Sequence, residues 1–408
     1  MIPEALNILT KYASKIPDSV IGPERVRFII EHIDEITIEQ KSLLVKLANA
    51  ILTAMIERQA SDIELGGHGT EEHIWLRIFG KKEKAPDLPK MKTDESTTLI
   101  ISLLNKNQCE LLLEKRNLDF SYTFFYSKQN KNVRFRADAY FDLDSLALNM
   151  RAISATIRPL ESLDFHPVAV KMMSHNYMKF GLSLVTGITG SGKSTTLDAI
   201  IDYHNKFDSA HVVIVAAPIE FVHKSNKCII RHREVGRDVL SFKEGVIQAL
   251  RQDPDIIVIG EMRDPETILA ALEVTDTGHK VFSTLHTSSA VESLDRIIAE
   301  VDPAEQERVR YRLADVLVSA VSQKLVPSTD GKRVMAKEVL IVTPSVRAAI
   351  KNNNTSEIYM MINQGAQQGM VTMEQDLIRL YQEKRITKEN AVSYANNKTR
   401  MLQLLKGC

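Results

Sequence analysis

Hydrophobic positions in the first 58 residues recur every three or four residues, the spacing of one face of an α-helix. The repeat is clearest where five apolar residues share one side: Leu44, Leu47, Ala48, Ile51 and Met55. We therefore predict a helical N-terminal extension over residues 1–58. Because its polar face is not rich in Lys or Arg, packing on its own domain or on a neighbouring subunit is favoured over binding to a membrane surface.

Between residues 59 and 161 the pattern changes to an alternation of apolar and polar residues, which is typical of half-buried β-strands. The predicted strands are Ser61–Leu65, His73–Ile78, Leu118–Tyr126 and Val133–Phe141. A charged stretch with two prolines, between Gly80 and Ser96, is interpreted as a solvated loop. We predict a small α+β domain over this region.

After a predicted linker at residues 162–167, short apolar runs alternate with helical stretches up to about residue 340. The predicted strands are Leu182–Thr186, His211–Val215, Cys228–Ile230, Ile256–Ile259 and Val281–Leu285. This alternation predicts an α/β domain with a mainly parallel sheet over residues 168–340. Residues 341–408 are predicted to form a helical C-terminal segment.

Composition is that of an ordinary globular protein. Of the 408 residues, 44% are hydrophobic, and Lys plus Arg equal Asp plus Glu at 52 each. The balanced charge argues against nucleic acid as a partner. The cysteines, Cys109, Cys228 and Cys408, are far apart and form no CxxC zinc motif, which fits a reducing cytoplasm. We expect neither a signal peptide nor a membrane-spanning helix.

A glycine-rich run between a predicted strand and a predicted helix carries the strongest chemical signal. It reads Gly187-Ile188-Thr189-Gly190-Ser191-Gly192-Lys193-Ser194 and fills every fixed position of the phosphate-binding pattern GxxxxGK[ST]. Glycines let backbone amides converge on a polyanion, and the helix adds positive partial charge at its N-terminus. In this pattern the lysine reaches the β- and γ-phosphates and the serine hydroxyl ligates Mg²⁺. The run therefore predicts a nucleotide site.

Hydrolysis also requires a carboxylate near the phosphates, and two glutamates follow predicted strands. Glu220 comes after His211–Val215, where strand ends face ligands in open α/β sheets. On its own this position also suits a surface glutamate. Glu261 ends the apolar run Ile256–Ile259 after one glycine, as the carboxylate of a Walker B strand does. We therefore predict that Glu261 lies beside the Mg²⁺-bound phosphates.

Weaker signals surround these glutamates. Arg263 and Asp264 are predicted to fix the loop after Glu261 by an ion pair. His279 and His286 flank the predicted strand Val281–Leu285. Isolated histidines are more often structural than catalytic, and neither has the spacing of a metalloprotease motif, so no zinc site is predicted.

In combination these motifs resemble the family of secretion and type IV pilus ATPases, and within it the pilus retraction motors. The resemblance covers about residues 59–395. The segments that carry it are Gly187–Leu197, Pro218–His223, Arg233–Asp238, Ala249–Asp255, Gly260–Thr267, Thr277–His279 and Thr284–Thr287.

The resemblance implies roles for single residues. Lys193 and Ser194 would bind phosphate and Mg²⁺, Glu220 would activate water, and Glu261 would be the Walker B glutamate that also holds Mg²⁺. His286 would belong to the His box of the family. Nucleotide contacts are implied for Gly187, Thr189, Gly190, Ser191, Gly192 and Thr195.

Four arginines are implied as sources of positive charge. Arg134 and Arg136 alternate with Val133 and Phe135, so both project from one strand face, and they match an Arg-Phe-Arg segment of the family. From their spacing alone, a role as surface arginines is about as well supported. Arg233 and Arg237 are further candidates for stabilising the transition state.

The architecture implied by the resemblance is a hexameric ring motor driven by ATP and Mg²⁺. Each subunit would pair a PAS-like domain with a RecA-like P-loop ATPase domain, with nucleotide at the junction between subunits. Implied partners are further copies of the chain, an inner-membrane platform protein and a paralogous ATPase. The implied location is the cytoplasm, at the inner face of the cytoplasmic membrane. The segment Pro344–Lys351 resembles one that the family links to retraction.

Two features depart from the family. Its Asp box reads Glu-Asp-Pro-Ile-Glu, whereas this chain has Ala216-Ala217-Pro218-Ile219-Glu220. Without two carboxylates the box is held less firmly, and a displacement of about 1 Å can cost roughly a hundredfold in rate. The second departure is the N-terminal extension.

Two further interpretations stay open. A secretion-system ATPase would carry the same motifs as a retraction motor. A non-motor ring subunit that binds nucleotide and hydrolyses it poorly is favoured by Ala216 and Ala217. It is disfavoured by the intact residues Lys193, Glu220, Glu261 and His286. A DNA translocase fits poorly because the charge is balanced.

Overall fold

The computed structural model describes residues 2–153 and 156–406, so Cys408 lies outside the described residues. It divides into two compact units. The first comprises Met1–Ala155, Ala217–Phe221 and Gly236–Asp238, and the second comprises Thr156–Ala216, Val222–Val235 and Val239–Cys408.

The first unit contains a six-stranded sheet in which every neighbouring pair is antiparallel. Its strands are β1 (Ala60–Gly66), β2 (Trp75–Ile78), β3 (Lys81–Lys84), β4 (Asn117–Tyr126), β5 (Lys131–Asp142) and β6 (Ser145–Ala152). The spatial order is β3-β2-β1-β6-β5-β4. The strands expected from alternation are present, with small changes at their ends.

Helices of the first unit share one hydrophobic core with its sheet. They are α1 (Ile2–Ala13), α2 (Pro23–His32), α3 (Ile38–Glu57), α4 (Thr93–Ser102) and α5 (Lys106–Lys115). A capping box starts α3, because Thr37 and Gln40 each accept the other's backbone amide. The buried Leu44 and Leu47 belong to the same core as Ile63 and Phe135. The N-terminal helices therefore pack within this unit.

The stretch between Gly80 and Ser96 differs from the predicted solvated loop. It contains β3 and the beginning of α4. Phe79 and Gly80 both have positive φ, 47° and 86°, and they form the two-residue turn between β2 and β3. All side chains of β3 are exposed, so the strand has no hydrophobic alternation that would identify it.

The second unit contains a seven-stranded sheet whose order is β13-β12-β7-β11-β10-β8-β9. Its strands are β7 (Gly181–Thr186), β8 (His211–Ala216), β9 (Ile229–Glu234), β10 (Ile256–Ile259), β11 (Lys280–Leu285), β12 (Leu317–Pro327) and β13 (Arg333–Ile341). All pairs are parallel except β12 with β13. The predicted α/β class is confirmed, and β9 and β13 form the two edges.

Sequence reasoning missed the antiparallel hairpin β12–β13. The first seven residues of β12 are buried, yet they include Ser319, Ser322 and Gln323. These polar residues interrupt the apolar run by which a buried strand is recognised. The two serines find partners on β7, as in the 2.7 Å hydrogen bond between Ser322 Oγ and Thr186 Oγ1, whereas the side chain of Gln323 bonds to residues outside the sheet.

Eleven α-helices accompany this sheet in the described part of the chain. They are α6 (Pro167–Met173), α7 (Lys193–Phe207), α8 (Phe242–Ala249), α9 (Pro265–Asp276), α10 (Ala290–Ala299), α11 (Gln306–Val316), α12 (Pro344–Lys351), α13 (Ile358–Gln364), α14 (Met373–Gln382), α15 (Lys388–Tyr394) and α16 (Lys398–Lys406). The last three share a separate small core with the β12–β13 hairpin, which includes Val326, Ala336 and Leu377. In the described residues no helix combines the length and apolar character needed to cross a bilayer.

Lys280 starts the central strand β11 and is fully buried. Its amine donates to the carbonyl oxygens of Met178 at 3.0 Å and Met172 at 3.3 Å. Burial lowers the pKa of Lys280 from 10.5 to about 7, and the charge of Asp208 opposes this shift. The folded chain therefore releases a proton that the unfolded chain keeps between pH 7 and pH 10.5.

Replacing Lys280 should change how stability depends on pH. Where the unfolded chain binds more protons, the free energy of unfolding rises with pH, by about 1.4 kcal/mol per pH unit for one group. Lys280→Met removes this contribution, so we expect the slope between about pH 7.5 and pH 8.5 to fall by roughly that amount. Urea unfolding followed by circular dichroism at several pH values measures it.

The control is Lys227→Met, which changes an exposed lysine of the same unit. We expect its slope to equal that of the parent protein. Equal slopes for Lys280→Met and the parent would show that Lys280 keeps its proton in the folded state.

Candidate functional site

The glycine-rich loop connects β7 to α7, as the sequence predicts. Every residue of β7 is buried, and the loop begins at its carboxyl end. A Cβ on Gly187 would lie 2.4 Å from Ser191 Oγ and 2.5 Å from the carbonyl oxygen of Gln323, so only glycine fits there. Gly190 and Gly192 have φ values of 80° and 91°, which favour glycine as well. The helix α7 then starts at Lys193.

This loop fits a phosphate group on structural grounds. The space beside Gly190 is open, since a Cβ built there would meet no atom within 4 Å. The hydroxyl of Ser191 is buried and has no hydrogen-bond partner among the described residues. Backbone amides at the N-terminus of α7 add positive partial charge. Thr195 is exposed in the first turn of α7.

The amine of Lys193 is held over the loop by several acceptors. It donates to the carbonyl oxygens of Gly187 at 2.8 Å and Ile188 at 3.3 Å. It also lies 3.4 Å from Nδ1 of His286, which Thr189 Oγ1 approaches at 3.5 Å. The structure thus brings together Lys193, Thr189 and His286.

His286 links this lysine to Glu261. Its Nε2 lies 2.9 Å from Oε1 of Glu261, while Arg263 Nε contacts Oε2 of the same carboxylate at 2.8 Å. A neutral imidazole that donates from Nε2 to Glu261 presents Nδ1 as an acceptor for Lys193. Glu261 is 17% exposed, so these contacts are only partly screened by water.

Burial lowers the pKa of His286 below its ordinary value. The Glu261 carboxylate opposes this shift, and the charges of Lys193 and Arg263 add to it. A neutral ring at neutral pH follows, and it agrees with the donor and acceptor roles that the geometry assigns to the two nitrogens.

The predicted ion pair between Arg263 and Asp264 is replaced by other contacts. Arg263 pairs with Glu261, and Asp264 is the N-cap of α9, where it accepts the backbone amide of Thr267 at 2.8 Å. An acidic residue directly before a helix starting with Pro265 has a capping role that competes with an ion pair.

Gln323 is a site residue that sequence reasoning missed. It lies on β12, is 1% exposed, and its side-chain amide donates to the carbonyl oxygen of Ser191 at 2.8 Å. Its side-chain oxygen accepts from Thr196 Oγ1 at 2.9 Å. Gln323 therefore clamps the loop to the first turn of α7. A glutamine within an apolar strand was the signal that could have identified it, because buried polar side chains require hydrogen-bond partners.

Glu220 and two of the predicted arginines meet in the first unit. Arg134 donates to the carbonyl oxygen of Ile219 at 2.7 Å. Arg136 pairs with Asp119 at 3.3 Å and lies 4.0 Å from Oε1 of Glu220, whose side chain is 38% exposed. The alternation of the arginines along β5 places both beside the segment 217–221, as their shared strand face predicts.

The other two arginines lie on β9 and shortly after it. Arg233 is on β9 and donates to the side-chain oxygen of Gln248 at 2.9 Å. Arg237 is exposed in the segment Gly236–Asp238 of the first unit.

Ala216 ends β8 against β10. A Cβ on Gly260 would lie 2.9 Å from Cβ of Ala216, so the two backbones approach closely there. The Gly260 amide donates to the carbonyl oxygen of Val215 at 2.8 Å, and its own carbonyl accepts from Thr284 Oγ1 at 2.6 Å. These bonds fix the strand end from which Glu261 projects.

Among the described residues no group of three or more His, Cys, Asp or Glu side chains is arranged to hold a metal ion. Mg²⁺ bound with nucleotide does not require such a group, since it keeps several waters and uses one or two protein ligands with the phosphates. Ser194, in the first turn of α7, and Glu261 are oxygen donors of the kind that this ion prefers.

Removing the Gln323 clamp should weaken nucleotide binding. Gln323→Ala deletes two buried hydrogen bonds and leaves their partners unsatisfied, so we expect about tenfold weaker binding of ADP. Titration with a fluorescent ADP analogue measures the dissociation constant.

Gln367→Ala, at an exposed position of the same unit, is the matched control and should bind like the parent. A dissociation constant for Gln323→Ala within about twofold of the parent, in protein with an unchanged unfolding midpoint, would contradict the clamp.

Comparison with known proteins identifies the family. The model of the family described as "Type II/IV secretion system protein" matches residues 37–404. The type IV pilus retraction ATPase PilT of Pseudomonas aeruginosa is 40% identical over 342 residues, which cover 84% of this chain and 96% of that protein.

Solved structures agree with this result. The crystal structure of the pilus retraction motor PilT with bound ADP aligns with a TM-score of 0.75 at 35% identity, covering 86% of this chain and 98% of that chain. The ATPase DotB of Legionella pneumophila aligns with a TM-score of 0.74 at 27% identity, covering 84% of this chain and 93% of that chain. The chain belongs to the family of type II/IV secretion system proteins.

Proposed function

We propose that this chain is an ATPase of the retraction type, a motor that uses ATP and Mg²⁺ to power type IV pilus retraction and thus twitching motility. The observation that carries the proposal is the chain of contacts from Lys193 through His286 to Glu261. It lies beside a loop that fits phosphate, in a chain related to PilT over most of its length.

In the proposed reaction, water attacks the γ-phosphorus of ATP, ADP leaves, and Glu220 accepts the proton of the water. Lys193 binds the β- and γ-phosphates, and the loop residues that were predicted to contact nucleotide orient them. Ser194 and Glu261 would hold Mg²⁺, which would supply positive charge to the phosphate oxygens. Arg134, Arg136, Arg233 and Arg237 are proposed to add positive charge at the transition state.

His286 is proposed to report on the phosphates through Lys193. Its neutral ring accepts from the lysine and donates to Glu261, so a shift of the lysine changes both contacts. We assign His286 to positioning these two charged groups rather than to proton transfer, because its ring nitrogens are engaged, Nδ1 by Lys193 and Nε2 by Glu261.

Finer points of architecture belong to the same proposal. The second unit is a RecA-like ATPase domain, and the sheet of the first is a PAS-like domain preceded by the helical extension 1–58. Six copies form a ring that acts with an inner-membrane platform protein, and with a paralogous ATPase, at the inner face of the cytoplasmic membrane. The antiparallel sheet of the first unit and the mainly parallel sheet of the second support these assignments.

A DotB-like secretion ATPase is the second candidate, because that structure matches the fold nearly as well as PilT does. The higher identity to the retraction motor favours the first candidate. A weakly hydrolysing accessory subunit of a ring is the third, and Ala216 and Ala217 are the residues that favour it.

Two substitutions test the proposed ATPase. Lys193→Ala removes the positive charge at the phosphates, so we expect ATP turnover to fall to background. Glu220→Gln keeps the shape of the side chain but cannot accept a proton, so it should bind ATP and not hydrolyse it. Steady-state phosphate release and nucleotide titration measure the two effects.

Lys206→Ala is the control for the lysine. It lies on the same helix, pairs with Asp202 at 2.6 Å on the surface, and should leave turnover unchanged. Parent-like turnover of Lys193→Ala would refute the proposal that the chain is an ATPase. Parent-like turnover of Glu220→Gln would show that another residue is the general base.

Restoring the family's Asp box should raise turnover. In Ala216→Glu with Ala217→Asp, two carboxylates return to the loop before Glu220 and restrain it, so we expect roughly tenfold faster hydrolysis. Phosphate release by the purified oligomer measures the change.

The matched control is Ala216→Gln with Ala217→Asn, which adds similar volume without charge. Equal rates for this control and the carboxylate variant would attribute the gain to size. A loss of activity in both would show that the small side chain of Ala216 is required against Gly260.

A further inference from the structure

Residues 286–289 form a short loop between β11 and α10, which is the loop that carries His286. Ser289 is the N-cap of α10 and accepts the amide of Glu292 at 3.1 Å. Thr287 Oγ1 lies 2.6 Å from Ser293 Oγ, and Arg296 donates to the carbonyl oxygen of His286 at 2.9 Å. These contacts tie the loop to α10, so the position of α10 determines the position of His286.

Glu338 holds the beginning of that helix. It lies on β13, is 2% exposed, and its Oε1 accepts the backbone amide of Ala290, the first residue of α10, at 2.8 Å. Its carboxylate is also hydrogen-bonded by the backbone amide of Met373, the first residue of α14. A single buried carboxylate thus joins the N-termini of two helices, where negative charge is favoured.

A second contact, which is exposed, also holds the loop that carries His286. Asn396, between α15 and α16, donates to the carbonyl oxygen of Ser288 at 3.2 Å. Its side-chain oxygen accepts from Lys324 at 2.6 Å, and the same lysine donates to the carbonyl oxygen of Tyr394 at 2.8 Å. The loop that carries His286 and the start of α10 are therefore held at two points, by Glu338 of β13 and by Asn396 of the C-terminal segment.

Burial and hydrogen bonding act in opposite directions on the charge of Glu338. Burial raises the pKa of Glu338 to about 7, and the nearby Glu374 adds to the rise. The amides of Ala290 and Met373 and the charge of Lys324 oppose it. A carboxylate that served only to fill space would cost more than an apolar residue of the same size, so its hydrogen bonds must account for its place.

We propose that Glu338 is a positioning residue for ATP hydrolysis that acts through His286 and joins its loop to the start of α14. The proposal rests on the proposed function. His286 lies 2.9 Å from Glu261 and 3.4 Å from Lys193, and displacements of about 1 Å in such groups change rates by roughly a hundredfold. A shift of the C-terminal helices is transmitted to these contacts by the same carboxylate.

The test compares Glu338→Ala with Glu374→Ala. Both delete a buried carboxylate of this cluster, but the Glu374 carboxylate accepts from the Tyr359 hydroxyl and from the backbone amide of Asn397 instead of from the start of α10. We expect kcat to fall about tenfold in Glu338→Ala with KM within about twofold of the parent, and to stay near the parent value in Glu374→Ala.

Glu338→Gln keeps an acceptor oxygen, so its kcat should recover to most of the parent value. This variant also tests the proposal if Glu338→Ala fails to fold. In a His286→Ala background, Glu338→Ala should cause less than about a twofold further loss if it acts through His286. Full additivity of the two losses, or equal losses in Glu338→Ala and Glu374→Ala, would overturn the proposal.

Hydrogen exchange at residues 284–292 gives a readout that does not depend on turnover. Glu338→Ala should accelerate exchange there, and Glu374→Ala should not. If Lys193→Ala and the parent release phosphate equally, the proposed function fails. Unchanged exchange in Glu338→Ala would instead refute the role of Glu338, whatever the turnover.

Discussion

The close approach between the phosphate loop and β12 is the constraint on which the site depends. Because Gly187 has no side chain, the loop lies directly against the backbone of Gln323. The Gln323 side chain can then reach across to Ser191 and Thr196 and hold the loop on the first turn of α7. The motif supplies the glycines, but a strand more than a hundred residues away gives the loop its shape.

Strand ends arrange the remaining groups around this loop. Glu261 follows β10, and His286 follows β11, so parallel pairing alone brings the two to the same edge of the sheet. The hairpin β12–β13, which pairs with β7, contributes Gln323 to the phosphate loop and Glu338 to the start of α10. One hairpin thus contacts both the phosphate loop and α10, the helix that follows the loop carrying His286.

The parts that could be predicted from sequence are those whose signal is local. The glycine loop, the carboxylate after β10 and the alternating arginines of β5 are each visible within about a dozen residues. Gln323 and Glu338 could not be found this way, because their partners lie 132 and 48 residues away along the chain. The β12–β13 hairpin was hidden for a related reason, since its buried serines and glutamine conceal an otherwise apolar strand.

The edge strand β9 has a consequence for how copies of the chain can meet. An edge strand leaves one row of backbone amides and carbonyls unpaired by the sheet, and such a row attracts the strands of other molecules. On β9, Ile229 is 55% exposed, but Arg231 and Arg233 follow it with positive charge. Charged side chains on an edge oppose the addition of another strand, so self-association here would have to use side-chain surfaces, which limits uncontrolled sheet extension.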